Sequence, residues 1–421
     1  MRIFADLHIH GPYSMATSRA ITIENLEKYG RMKGLNLLGT GDFTHPTWFH
    51  TLKNSLKEDG TGILKTDSGF SFMLSTEVSN VYEQDGSTRK VHNVLHVPDF
   101  DTAAQVNDFL SKRGNLIIDG RPTFNGMTCP ELVEGIMSIS KDIMIIPAHA
   151  WTPWFGVFGS KSGFDSVKEC FKDQTKHIFA LETGMSSDPE MNWRLSSLDR
   201  YALVSNSDAH SCWPWRIGRE ANVFELNEMT YNGIMSAIRK KDNRHFLFTI
   251  EVDPGYGKYH YDGHRECNVC LDPRESAKAG NICPVCRKPL TIGVLNRVEG
   301  LADRPEGHLP RDAVPFKRLL PLSEIIAAVL GTDQLYSKKI WAQYEKLLER
   351  FGSELHVLLS AGESEMRSVS NEKIAKLVID SRQGRTKVLP GYDGVYGRLS
   401  LEEKHPEKNR NPQSSLSSFF G

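Results

Sequence analysis

The sequence predicts an α/β protein with a small metal-stapled module and a helical region behind it. Three observations carry this prediction. Residues 1–254 alternate short apolar runs with helical stretches, the pattern of parallel strands in a wound or barrel sheet. Residues 255–320 turn rich in Gly, Pro and Cys and hold two C-x-x-C pairs. Residues 321–401 read as helices, and residues 402–421 form a tail without an apolar period.

In chain order, the strand candidates are residues 3–5, 35–39, 70–74, 91–97, 143–146, 178–181 and 202–204. A helix over 22–33 has Thr22 to cap its start and Glu24 in its first turn. Ser323 is placed to cap a helix over 324–330 that Gly331 ends. Ile340, Trp341, Tyr344, Leu347, Leu348 and Phe351 make an apolar stripe at helical spacing, which reads as core. Residues 402–412 are charged and contain Pro and Asn, the composition of a disordered tether.

Bulk properties narrow the function. A net charge of −1 over 421 residues argues against a globally basic nucleic-acid binder, though not against a local basic groove. No apolar run reaches membrane-spanning length and no signal-peptide order stands at the start, so a cytosolic protein without a membrane partner is expected. Four of the seven cysteines sit in C-x-x-C pairs, which suits metal rather than disulfides in that compartment.

His8 and His10 follow the first strand at i, i+2, so both imidazoles face one way. The later strand ends bring partners: Asp42 and His45, Glu77, His92 and His96, His149, Glu182, Asp208 and His210. In parallel α/β folds chemistry collects at the carboxyl ends of strands. So many His, Asp and Glu residues there point to a site for several metals. Clustered divalent ions lower the pKa of a water and clamp an in-line displacement at phosphorus, so phosphate-ester hydrolysis is the physical expectation.

Cys267-x2-Cys270-x12-Cys283-x2-Cys286 has the spacing of a zinc ribbon, whose four thiolates close a structural zinc tetrahedron. Cys129, Cys170 and Cys212 stand alone and read as inert fillers. Trp151, Trp154 and Trp213 follow metal-site histidines and offer either loop packing or a stacking surface for bases. Arg194 and Arg216 are candidates to neutralise a phosphate. The last residues match Q-x-x-L-x-x-F-F, the peptide that docks on ring-shaped sliding clamps, with Gln413 in a polar pocket and Leu416, Phe419 and Phe420 as an apolar plug.

The order His-x-His, acidic residue, Glu, His, His, Asp-x-His resembles the polymerase and histidinol phosphatase (PHP) superfamily. That resemblance implies a distorted seven-stranded (βα) PHP barrel with two or three catalytic divalent metals, Zn2+ or Mn2+, with Mg2+ also compatible. It assigns His8, His10, Glu77 and Asp208 to one metal, Glu77, His92 and His149 to a second with Glu77 bridging, and Asp42 and His210 to a third. Met15 stands where the family has an acidic or His residue, and Phe43 follows Asp42 where it often has His. His45 is therefore an alternative at the third site, which is otherwise weak or empty, and His96, on the same face as His92, is an alternative to it as a ligand.

With the ribbon, the helical region and the clamp peptide added, the chain resembles the endonuclease Q family. Residues 40–46 and 390–396 are further stretches of likeness. This resemblance implies a DNA-repair endonuclease that cuts 5′ to uracil, hypoxanthine, xanthine or abasic sites. It also implies damaged DNA and a PCNA-type sliding clamp as partners, in a cytoplasmic, nucleoid-associated setting. A small-molecule phosphatase would use the same metals but leave the ribbon and clamp peptide without purpose. A non-catalytic, clamp-bound scaffold would not need the ligand set.

Overall fold

A computed structural model of the chain describes residues 1–400. The first strand, Arg2–Asp6, buries Ile3 and Ala5 completely, as its period-two alternation requires. It runs parallel to Leu37–Gly39, which in turn runs parallel to Ser71–Met73. Helix Ile23–Lys33 makes the first crossover. Thr22 caps its start by accepting from Asn25 N, and Gly34, at φ +98°, closes its end.

The expected 91–97 strand is the second arm of an antiparallel hairpin, Ser75–Gln84 with Ser87–His96. Asp85 and Gly86 turn it at φ +53° and +72°, the left-handed pair that a tight hairpin needs. Met144–Pro147 pairs antiparallel with the second arm. Ala180–Glu182 and Ala202–Val204 then pair in parallel, and the chain returns to its start through a bridge between Ile9 and Ala209. Hydrogen bonding thus divides the described strands into an eight-stranded sheet, a four-stranded sheet and three two-stranded ladders, rather than one seven-stranded ring. Between them lies an apolar interior that includes Leu7, Leu37, Met73, Ile146, Ala180 and Val204.

Phe316–Arg318 pairs with Phe246–Glu251, so the large sheet continues into the region assigned by sequence to the cysteine module. That module is built on the hairpin of Asp262–His264 and Val269–Leu271. The C-terminal ladder Lys387–Leu389/Arg398–Ser400 returns to it, with Tyr261 N donating to Gly391 O at 3.0 Å and Thr291 Oγ1 to Asp393 Oδ1 at 2.6 Å.

The helical region comprises Leu322–Leu330, Lys338–Phe351, Glu354–Leu359, Glu363–Val369 and Glu372–Arg382. Gly331, at φ +65°, ends the first helix as expected. Ser323 does not cap it: the helix begins at Leu322, two residues earlier than expected, behind Pro321, and the buried Ser323 hydroxyl has no partner. Ile340, Tyr344 and Leu347 are buried, while Trp341, Leu348 and Phe351 pack partly buried against the core. Lys33 Nζ, buried, donates to Glu354 Oε1 at 2.8 Å and joins this region to the first helix.

Among the described residues no helix is long and apolar enough to cross a membrane. The expected tether and the clamp-peptide residues Gln413, Leu416, Phe419 and Phe420 lie outside the described residues.

Candidate metal centre

Short connections after the strand ends carry the site. Asp42, His149 and Asp208 hold left-handed backbone, at φ +38°, +31° and +49°. Non-glycine residues rarely adopt this conformation, and such strain concentrates at functional sites. Gly39 permits the close approach of strands beneath: a Cβ there would lie 2.5 Å from Leu7 O and 2.6 Å from Ser75 Oγ.

Three donor groups converge: His8, His10 and Glu77; Glu77, His92 and His149; and His10, Asp208 and His210. Glu77 stands between the first two, fully buried. Its Oε1 lies 2.9 Å from His92 Nδ1, 3.0 Å from His149 Nε2 and 3.7 Å from His8 Nε2, and its Oε2 lies 3.5 Å from His10 Nε2. Asp208 Oδ1 lies 2.9 Å from His10 Nε2 and 3.8 Å from His8 Nε2. His210 places its ring centroid 4.3 Å from that of His10.

A second layer orients these rings. Both oxygens of Glu182 lie 3.0 Å from His8 Nδ1, and Glu182 also accepts from His149 N and Asn206 Nδ2, each at 2.8 Å. Asp42 stands behind His10 rather than in a donor group. Its Oδ2 lies 3.0 Å from His10 Nδ1 and accepts from Gly11 N at 2.8 Å and from the Ser14 hydroxyl. Asp42, expected as a ligand, is thus in none of the three donor groups, and its Oδ2 contacts place it as a carboxylate behind the His10 ring.

His45 is also absent from the donor groups. Its ring stacks on Tyr13 at 4.3 Å, with Nε2 3.2 Å from Ile117 O. Of the pair on the hairpin, His92 joins a donor group and His96 does not. His96 is buried with neither ring nitrogen partnered, and burial pushes it down to about 3.

The electrostatics favour cations. Burial opposes charge on His8, yet the carboxylates of Glu182, Glu77 and Asp208, Glu182 foremost, together prevail and raise it to about 9. Burial also works against Glu77, but His92, His149 and Arg121 around it hold its carboxyl well below the usual range. Burial pushes His92 down to about 4, leaving it neutral, the form that ligates metal. The donor set fits divalent cations on a further count. His8 Nε2 is buried without a hydrogen-bond partner, while its other nitrogen is fixed by Glu182. An orphaned imidazole nitrogen facing carboxylates and histidines is the position of a metal ligand.

Two contributions escaped the sequence reading. Glu182 was seen at a strand end, but its orienting role becomes visible only in three dimensions. Arg121 Nη1 reaches Glu77 Oε2 at 3.2 Å, and a lone Arg in a loop carries no pattern that would have flagged it. A cavity of about 440 Å3 opens beside the centre, lined by Thr17, Asp208, His210, Arg216, Arg219 and Tyr396 among others.

The expected DNA-facing residues divide. Arg216 is exposed on the cavity wall. Trp154 is 41% exposed and meets the Tyr259 ring edge-on at 5.8 Å. Trp151, by contrast, belongs to the core: it is buried, stacked on Phe158 at 4.6 Å, and donates to Asn192 Oδ1 at 2.8 Å. Arg194 is buried in a two-pronged ion pair with Glu299, at 2.7 and 3.0 Å, which commits its paired Nη1 and Nη2 face to that carboxylate. Trp213 is half-buried between Tyr29 and Trp215, at 5.3 and 5.6 Å.

In the cysteine module, Cys267, Cys283 and Cys286 gather with His264, not with Cys270. His264 Nδ1 lies 3.6 Å from Cys286 Sγ, whereas Cys270 Sγ turns toward Pro390 O at 4.0 Å. The hairpin explains the exchange. Cys270 pairs with Gly263, so its side chain leaves the sheet face opposite to that of its neighbours in the ladder, Val269 and His264.

Fold and site together define an α/β protein that gathers candidate metal-ligating side chains at its strand ends. The chain is similar to two solved structures, each with a TM-score of 0.85 and 33% identity over 96% of its length: the lesion-specific endonuclease PfuEndoQ from Pyrococcus furiosus, matched over 96% of that chain, and Endonuclease Q in complex with a 27-mer duplex bearing an abasic lesion at the active site, matched over 97%. It belongs to the endonuclease Q family. Residues 321–385 match the MJ0043 C-terminal domain family. The uncharacterized protein MJ0043 of Methanocaldococcus jannaschii is 31% identical over 264 residues, 62% of this chain, and the match spans 32% of that protein's length.

Proposed function

We propose that this protein is a DNA-repair endonuclease that hydrolyses the phosphodiester 5′ to a deaminated base or an abasic site. The observation that carries the reading is the set of three interlocking donor groups, held in a chain that resembles, over nearly its full length, an enzyme solved with an abasic lesion at its active site. In the reaction, water adds to phosphorus and the 3′ oxygen of the preceding nucleotide leaves, giving a 3′-hydroxyl and a 5′-phosphate.

His8, His10, Glu77 and Asp208 would hold one cation and Glu77, His92 and His149 a second, while Asp208 and His210 would supply donors to a third, since His10 has only Nε2 to give and spends it on the first. The mixed imidazole and carboxylate donors suit zinc or manganese. Such ions supply Lewis acidity, lowering the pKa of a water and neutralising charge at phosphorus. Glu182 and Asp42 keep the imidazoles in the ligating tautomer. Extrusion of the lesion nucleotide is cheapest where pairing is already damaged, and the cavity beside Asp208 has the volume to receive it. Arg216 on its wall faces the backbone, and Trp154 with Tyr259 offers a stacking surface at the rim. A structural zinc fits His264, Cys267, Cys283 and Cys286. The peptide from Gln413 to Phe420 would tether the enzyme to a PCNA-type clamp in a cytoplasmic, nucleoid-associated setting.

The test is nicking of duplexes carrying one uracil, deoxyinosine, xanthine or abasic site, with zinc, manganese or magnesium supplied. A single nick 5′ to the lesion, with 3′-hydroxyl and 5′-phosphate ends, is expected. Absence of cleavage under all three metals overturns the reading.

A further inference from the structure

The loop before strand Thr123–Asn125 is locked onto the metal shell. Gly120 rests against the residues that orient His10: a Cβ there would stand 2.3 Å from Ser14 Oγ and 3.2 Å from Asp42 Cβ. Gly120 N donates to Tyr13 O at 3.0 Å, and Gly120 O accepts from Thr44 Oγ1 at 2.9 Å. Arg121 N donates to Asp119 Oδ1 at 3.1 Å, and Pro122 narrows the backbone choices of the residue before it.

The base of the Arg121 side chain is therefore fixed, and its guanidinium is aimed. Nη1 lies 3.2 Å from Glu77 Oε2, the oxygen that faces His10, and the side chain keeps 21% exposure at the mouth of the site. Among the described residues Glu77 is the single acceptor found for the guanidinium, so most of its five N–H groups remain for a ligand. Asp208 and Asp42 also lie near enough to favour its charge. With divalent cations on Glu77, a guanidinium there would face like charge unless an anion stood between them. A phosphodiester is such an anion, and the planar fork matches its paired oxygens.

We propose that Arg121 is a catalytic residue that grips a non-bridging oxygen of the scissile phosphate, an inference that rests on the nuclease reading above. Charge that builds on this oxygen as water adds to phosphorus is met by a donor already in place.

Arg121→Ala and Arg121→Lys in the full chain test the role, using single-turnover nicking of a duplex with one abasic site, metal content, duplex affinity and thermal melting. Arg121→Ala is expected to slow nicking by about 10²–10³-fold, with metal content and melting temperature unchanged. Added guanidinium ion restores part of its rate and does nothing for the wild type. Arg121→Lys retains the charge without the fork and stays slower than wild type even if the alanine variant folds poorly. Nicking at the wild-type rate, loss of metal from either variant, or failure of guanidinium to rescue overturns the assignment and leaves Arg121 as a prop for Glu77. A wild type that nicks none of the lesion duplexes overturns the nuclease reading itself.

Discussion

Glu182 grips His8 from behind, with both carboxylate oxygens 3.0 Å from Nδ1, so that Nε2 is left to face Glu77 and Asp208. One carboxylate thereby fixes the ring, the tautomer and, through His149 N, the backbone of a second donor. Replacing Glu182 with Ala is expected to weaken metal binding about 10–100-fold, although Glu182 belongs to no donor group. Glu182→Gln retains an acceptor for Nδ1–H and loses less. Metal titration against a chelator of known affinity measures both, and equal affinities in all three proteins would contradict the orienting role.

Metal uptake releases protons. In the metal-free chain Glu182 with Glu77 and Asp208 raises His8 to about 9, and Asp42 with Asp208 holds His10 well above its ordinary value, each against the opposing effect of burial. The shift of His8 to about 9 favours its protonated form at pH 7 and His10 is shifted in the same direction, whereas ligation needs the neutral form. Each such proton displaced makes affinity climb about tenfold per pH unit until the group's own pKa is passed. The climb is expected to continue toward pH 9 and to flatten above it for His8. Calorimetric titrations in two buffers of different ionisation enthalpy count the protons. Zero release at pH 7 would contradict the assignment.

The legible parts of the molecule were those in which a local rule fixes position. Alternation buries Ile3 and Ala5, Thr22 and Gly34 bracket their helix, and the i, i+2 spacing aims His8 and His10 together. Residue type at each strand end then predicted most of the donor set. What stayed hidden depends on contacts far apart in sequence. The antiparallel hairpin carrying Glu77 and His92 had its signal in Asp85-Gly86, which a strand-and-helix reading passes over. A carboxylate at a strand end reads the same whether it falls within a donor group, like Asp208, or behind one, like Asp42, since only the position of its partner distinguishes them. Trp151 and Arg194 follow the same logic: an aromatic or a cation beside a site looks available until its core neighbour, Phe158 or Glu299, is known.

The cysteine module makes a sharp prediction because spacing and geometry disagree over one ligand. Spacing names Cys270, whereas the donors gathered within 4.8 Å of one another are His264, Cys267, Cys283 and Cys286. Cys270→Ser is expected to keep one tightly held zinc in this module, and His264→Ala to lose it along with the module's thermal stability. X-ray absorption at the zinc edge would report three sulfurs and one nitrogen at the module site. Four sulfurs, or zinc lost from Cys270→Ser, would restore the ligand set suggested by spacing.

Lys33 and Glu354 make the last prediction. Both side chains are buried, at 1% and 0% exposure, and their 2.8 Å contact joins the first helix to the helical region. Glu354 is further satisfied by Leu322 N at 2.9 Å and Tyr344 OH at 2.7 Å, and Lys33 by Pro214 O at 3.0 Å, in the loop that follows His210. Removing one partner leaves the other charge buried without its counter-charge, which typically costs about 3–5 kcal/mol. Lys33→Met should therefore destabilise strongly and expose the helical region to limited proteolysis, since its methylene stem is replaced but its charge is not. The double variant Lys33→Met/Glu354→Leu removes both charges and is expected to recover much of that loss. Urea melts of the wild type, both single variants and the double variant close the cycle. Additive losses would mean that the pair contributes no coupling and that apolar packing alone holds the helical region in place.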